Sequence, residues 1–156
     1  AMARLRNREQ LHYVICGEGP DMPFLQKLTR QLHLEERVHL LGYRTDIPDM
    51  LGAADIFCMP SRREGCGMAA LEAMAAGLPL ITVRSHGTKT YAEKGESGFC
   101  LKGDLVTSCA DAIEQLADNK LLRRQMGARN RAAATAFSDA DRMMLLRGYY
   151  QKALGD

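Results

Sequence analysis

Short unbroken apolar runs alternate along this chain with longer stretches whose apolar residues recur every three or four positions. The runs, bounded by glycine or proline, predict buried strands, and the spaced stretches predict amphipathic helices. Leu11 to Cys16 predicts a first buried strand, stopped by Gly17-Glu18-Gly19-Pro20. Asp21 is a fair N-cap for a helix with Leu25, Leu28 and Leu32 on its apolar face. Val38 to Leu41 predicts a second strand, ended by Gly42, and Asp49 to Ala53 completes a short helix capped by Thr45 or Asp46. Asp55 to Met59 is a third strand, Leu80 to Val83 a fourth, and Glu96 to Leu101 a turn followed by a fifth. Residues 1–10 read as the tail of a helix. From Asp104 onward the chain is helical, with Leu105, Cys109, Ala112, Ile113 and Leu116 on one stripe. A further helix runs from about Lys120 to Ala136, and another starts at Ser138 with Asp141 three positions on. This alternation predicts an α/β fold, a Rossmann-like doubly wound parallel sheet in a single domain spanning residues 1–156.

The stretch from Met59 to Pro79 organises the rest. An apolar run ends at Pro60-Ser61, Glu64-Gly65-Cys66-Gly67 offers a turn of small residues, and Met68 to Ala76 are good helix formers. Gly77 suits the left-handed position after a helix, and Pro79 forbids continuation. Met68, Leu71, Met74 and Ala75 are expected in the core. The first N–H groups of such a helix have no internal partner, and the helix dipole adds positive charge there. Gly65 and Gly67 carry no side chain to keep a ligand away, so the turn is a candidate phosphate or pyrophosphate cradle. Glu64 and Glu72 frame it. A carboxylate repels phosphate but accepts hydrogen bonds from hydroxyls, as in the acid–ribose contact of dinucleotide sites. A ligand with a sugar, a diphosphate and a ribose in a row would satisfy the whole set.

Glu64-x7-Glu72, preceded by Pro60-Ser61 and followed by Ala73-Met74-Ala75-Ala76-Gly77-Leu78-Pro79, resembles the signature of the family 4 retaining glycosyltransferases. The match runs with motifs from about Leu11 to Leu101; the helical remainder agrees only in pattern. The resemblance implies the C-terminal, nucleotide-sugar-binding half of a GT-B fold, with the first strand of that half missing from the chain. It implies transfer of a hexose from a UDP- or GDP-sugar to a glycan or lipid acceptor, with retention and without a metal or other cofactor. N–H donors from Gly65, Cys66, Gly67 and Met68 would then stabilise the diphosphate, Glu64 as the catalytic acid would hold sugar hydroxyls, and Glu72 would hold the ribose. Tyr43-Arg44 would lie near the base. In the family an Arg and a Lys that neutralise the diphosphate follow the first strand, and the partner N-terminal domain carries the acceptor; neither is in this chain, so the chain alone is expected to transfer no sugar. Residues 137–156 would pack toward that absent domain.

Other candidates are weaker. Gly17 and Gly19 after the first strand suggest a phosphate loop, but Met22 stands where a third glycine would be, so a plain βα turn explains them equally. A helix-capping loop explains Tyr43-Arg44-Thr45-Asp46 as well as a base contact does. His86, Lys89 and Thr90 lie in a polar loop after the fourth strand, which surface exposure alone explains, and Thr90-Tyr91 stand where the family carries an acid. Asp139-x-Asp141 has the form of a metal-binding pair, but two acids at a helix start need no metal.

Composition narrows the class without changing it. A length of 156 residues suits one domain, and a net charge of +2 with 46% apolar residues leaves no nucleic-acid footprint. The five cysteines form no C-x-x-C pair, and Cys16, Cys58 and Cys100 read as reduced core residues of a cytosolic protein. No apolar run approaches the ~20 residues of a membrane span and no signal peptide is visible, so the expected place is the cytoplasm, with contact to the inner membrane face through the full-length protein. Ala1-Met2 is compatible with a cloning remnant. Two rivals stand beside the transferase: a nucleotide-sugar epimerase of the same GT-B architecture, and an interaction module that keeps the fold without the chemistry.

Overall fold

A computed structural model describes residues 1–63, 67–83 and 97–137. A 3₁₀ turn at Met2–Leu5 leads to β1 (Tyr13–Cys16), α1 (Met22–Gln31), β2 (Val38–Gly42), α2 (Ile47–Ala53) and β3 (Phe57–Met59). Then come α3 (Met68–Ala75), β4 (Leu80–Val83), β5 (Gly98–Leu101), α4 (Leu105–Asp118), α5 (Lys120–Ala134) and a 3₁₀ turn at Thr135–Phe137. The helix start expected at Ser138, and residues 137–156 beyond Phe137, lie outside the described residues.

Among the described residues every strand pairing is parallel, as the alternation of elements requires. The strands form two sheets, β1–β2 and β3–β4–β5, and β1 is not paired with β3. Between the sheets lies an apolar cavity of about 250 Å³. Leu25 and Leu28 of α1 and Leu32 at its C-cap turn toward it, as their spacing predicts, with Tyr13 and Ile15 of β1 and Cys58 of β3.

The core sits in the second sheet. Leu80 and its same-side neighbours pack under α3 with Ala70, Leu71, Ala73, Met74 and Leu78, while Ile81 packs the other way with Leu101, Cys109, Leu116 and Met126. A strand covered on both faces reads as a continuous apolar run, which is why Leu80–Val83 stood out in the sequence. Two glycines permit the close packing here. A Cβ on Gly98 would stand 1.9 Å from the Leu80 carbonyl oxygen, and one on Gly127 would stand 2.0 Å from that of Gly77.

Several expectations need correction. β1 starts at Tyr13, two residues later than expected, and is only partly covered, because among the described residues one of its edges has no strand against it. Met68 and Ala75 are exposed instead of in the core, and Ala70 and Ala73 take their places. All of Met68–Ala76 except Glu72 is apolar, so nothing in its composition marked which side of α3 faces the sheet. Asp21 and Asp46 occupy N-cap positions without a side-chain cap bond. Cys16, Cys58 and Cys100 are half-buried, and all three are free thiols, as is the buried Cys109. The sulfurs of Cys58 and Cys109 lie 3.8 Å apart across β3 and α4. That hydrogen bond, with burial second, pushes the Cys58 thiol above its usual range.

Candidate functional site

The carboxyl ends of parallel strands are where open α/β sheets present their loops to ligands, and the candidate residues gather at two such ends. At the end of β3, Pro60-Ser61 leave the strand, and Arg62 and Arg63 stand exposed before the turn. Gly67 then takes φ +68°, ψ +50°, the left-handed conformation glycine adopts without a Cβ penalty, and α3 begins at once. The Gly67 carbonyl accepts the first helical bonds, from Ala70 N–H at 2.8 Å and Leu71 N–H at 3.2 Å. The Met68 and Ala69 N–H groups have no acceptor among the described residues. Met68 is 52% exposed and Ala69 is exposed beside it, while Gly67 itself is buried.

Glu72 follows Met68 by four residues, one helical turn, on the exposed side of α3. The buried side of the same helix holds Ala70, Leu71, Ala73 and Met74. Packing of that apolar side thereby aims Glu72 and the helix start outward together. Gly77, at φ +81°, ends the helix, and the Arg131 guanidinium donates to the Ala76 carbonyl at 2.9 Å. Asn130 holds the following turn by donating to the carbonyls of Leu78, at 2.6 Å, and Ser97, at 2.8 Å.

The second group lies at the ends of β1 and β2. Gly17, at φ +131°, donates its N–H to the Gly42 carbonyl at 2.7 Å. Glu18, which the sequence reading passed over, accepts from the Tyr43 N–H at 3.4 Å. An acid set between two glycines after a strand was the signal that could have drawn attention to it. Gly17 and Tyr43 are therefore brought together, and the Tyr43 ring is 72% exposed. Arg44 is drawn instead to Asp46, donating through Nε to Oδ1 at 2.8 Å and through its terminal nitrogen to Oδ2. This pairing raises the Arg44 pKa and holds the Asp46 carboxyl below its usual range, and it is why Asp46 does not cap α2. Among the described residues, no hydrogen bond joins this group to the start of α3.

Glu64, Gly65 and Cys66 lie outside the described residues, as do His86, Lys89, Thr90 and the Asp139-x-Asp141 pair. Among the described residues no cluster of three His, Cys, Asp or Glu could hold a metal, and no helix is long and apolar enough to cross a membrane.

Comparison with known proteins gives a consistent family. The model of "Glycosyl transferases group 1" matches residues 1–133. The chain is 33% identical over 132 residues to N-acetyl-alpha-D-glucosaminyl L-malate synthase of Bacillus anthracis, covering 84% of this chain and 34% of that protein. It is 35% identical over 111 residues to an Escherichia coli UDP-Gal:alpha-D-GlcNAc-diphosphoundecaprenol alpha-1,3-galactosyltransferase, covering 70% of this chain and 29% of the relative. The chain thus spans about a third of the length of these relatives. Among solved structures, the pneumococcal O-GlcNAc transferase GtfA in complex with UDP and GlcNAc superposes with a TM-score of 0.87 at 22% identity, over 99% of this chain and 32% of that one. Anabaena HepE in complex with UDP gives 0.81 at 23% identity, over 92% and 41%. These superpositions show a shared fold, that of GT-B glycosyltransferases.

Proposed function

Because the chain belongs to the group 1 glycosyl transferases, we propose that it is the nucleotide-sugar-binding half of a glycosyltransferase that moves a hexose from a UDP- or GDP-sugar to a glycan or lipid acceptor. The observation that carries this reading is the start of α3. A left-handed Gly67 feeds directly into a helix whose first amides find no acceptor among the described residues, and Glu72 stands one turn along, exposed like Met68. That arrangement suits a diphosphate at the amides and a ribose at the carboxylate.

The chemistry follows from charge. As the glycosidic bond to phosphate breaks, negative charge grows on the leaving diphosphate. Amide donors from Gly65 to Met68 stabilise it without reorganising, which is the condition under which fixed dipoles lower a barrier most. Glu64 holds the sugar hydroxyls, Tyr43 and Arg44 lie toward the base, and Gly17 belongs to a loop that approaches the phosphates. Attack and departure share one face of the sugar, so configuration is retained, and no metal or other cofactor takes part. The UDP bound in the superposed structures supports the donor class, and the diphosphoundecaprenol in the Escherichia coli relative's name supports a lipid-linked acceptor. The relatives' length supports an N-terminal domain that carries the acceptor side. The full-length protein works in the cytoplasm at the inner membrane face, where a lipid-linked acceptor would lie.

The test is a titration of full-length enzyme with UDP-, GDP- and ADP-sugars, alongside Glu64→Gln and Glu72→Ala. One nucleotide class should saturate, Glu72→Ala should raise donor KM about tenfold, and Glu64→Gln should lower kcat by about a hundredfold, in the range lost with a single positioned polar group. Unchanged donor kinetics in both variants would sink the assignment.

A further inference from the structure

Two cysteines 51 positions apart in sequence meet inside the β3–β4–β5 half. Cys58 is the middle residue of β3 and Cys109 lies one turn into α4, and their sulfurs stand 3.8 Å apart. Both belong to one apolar cluster with Ile81, Leu101, Leu116 and Met126, so packing holds the sulfurs side by side. Cys109 is 8% exposed and Cys58 is half-buried. Cys16 and Cys100 make no sulfur–sulfur hydrogen bond among the described residues, so the proximity is particular to this pair. Neither thiol takes part in the donor site described above.

We propose that Cys58 and Cys109 form a reversible disulfide, with Cys109 as the attacking thiolate, Cys58 as the resolving thiol and a small hydroperoxide as the oxidant. Disulfide sulfurs stand about 2.0 Å apart, so the pair starts in contact and closes the remaining gap as the bond forms. The hydrogen bond between them assigns the roles. The Cys58 S–H, donating to Cys109, draws the Cys109 thiol down to about 7 against the burial that raises it, and Cys58 itself is pushed up. The thiolate is the nucleophile of such a pair. It attacks one oxygen of the hydroperoxide and the O–O bond breaks. The other oxygen leaves, takes up a proton and departs as an alcohol, or as water from hydrogen peroxide. Cys109 is then a sulfenic acid. The Cys58 sulfur attacks the sulfenic sulfur, the S–O bond breaks, and hydroxide leaves with the Cys58 proton as water. The two thiols lose two electrons in all, and one peroxide is reduced. Burial selects the oxidant: a peroxide is close to water in size, whereas glutathione disulfide cannot bring its sulfurs into line with a thiol that is 8% exposed. The bridge ties β3, whose end leads through Pro60-Ser61 toward α3, to α4. None of this depends on which sugar or base the protein takes.

The test is peptide mapping of the reduced full-length protein after hydrogen peroxide at neutral pH, with free thiols alkylated and no reductant added. The Cys58 and Cys109 peptides should be recovered joined, lighter by two hydrogens, and separated again by dithiothreitol. Both thiols should be lost from alkylation about tenfold faster than Cys16 or Cys100, in line with the thiolate character of Cys109. Glutathione disulfide at the same concentration should leave the pair free. Cys58→Ser keeps a hydroxyl that donates to Cys109 but removes the resolving sulfur, so dimedone should trap a sulfenic acid on Cys109. In Cys109→Ser no adduct should form on Cys58. The wild-type map decides the matter even where a variant does not fold. Peroxide that leaves both thiols free, or joins either to a different cysteine, would overturn the proposal. So would dimedone trapped on Cys58 instead of Cys109, or glutathione disulfide closing the bridge as fast as peroxide.

Discussion

The β3–β4–β5 half and the β1–β2 half of this chain contain apolar runs of similar strength and bury them very differently. Leu80 is 1% exposed and Met74, Ile81 and Leu116 are fully buried, whereas no residue of β1, α1, β2 or α2 is buried and Val14 is 41% exposed. β4 has a strand on each side and helices over both faces; β1 has, among the described residues, one strand neighbour and borders an apolar cavity. An apolar run becomes core only when its faces and edges are all covered, and a two-stranded sheet cannot supply that cover by itself.

The comparison can be broken most sharply with one substitution made in each half. Gly98→Ala places a methyl group 1.9 Å from the Leu80 carbonyl oxygen, and neither strand backbone can withdraw. Urea denaturation should show a loss above ~4 kcal/mol, or no folded protein. Gly17→Ala meets nothing within 4 Å, and at φ +131° it should lose only the ~1–3 kcal/mol of backbone strain. Comparable losses at the two sites would contradict the contrast. Next in size, Leu80→Ala should cost ~2–5 kcal/mol by leaving a cavity. Val14→Ala should stay within ~0.5 kcal/mol, because the valine is already half in water. Asn130→Ala removes the donor to the buried carbonyls of Leu78 and Ser97 and should cost ~1–3 kcal/mol.

A pH-dependent effect sharpens the comparison at the cleft. Burial first, then the nearby Cys58 and Cys109 thiols, push the Tyr13 phenol up to about 12 from 10.0. A raised folded-state value means that folding favours the protonated ring. Its contribution is complete below pH 10 and is lost as pH rises from 10 toward 12. Denaturation midpoints of wild type and Tyr13→Phe should therefore keep a constant offset below pH 10, and the wild type should lose relative stability above it. Parallel curves to pH 12 would show that the ring is not shielded.

Much of the fold was legible because its determinants are local. Gly67 and Gly77 bracket α3 through conformations that depend on a few residues, and the leucines of α1 face the cavity as their spacing predicts. The site was legible in part. The glycine start of the helix and the outward Glu72 follow from the motif, while Glu18 went unread because its role is a bond to Tyr43, distant in sequence. Arg44 was read as a candidate ligand contact, and the structure adds its pairing with Asp46 two residues along.

By itself the sequence determined the order of strands and helices, the punctuation around α3 and the membership of a transferase family, since each is written in periodicity, glycine placement or a contiguous motif. Only the tertiary structure decided which side of α3 is buried, how Asn130 and Arg131 on a distant helix hold the turn that ends it, and that the strands form two sheets with a cleft between. Those features arise where segments far apart in the chain compete to cover the same apolar surface and satisfy the same backbone groups. The outcome of that competition depends on all the packed elements at once.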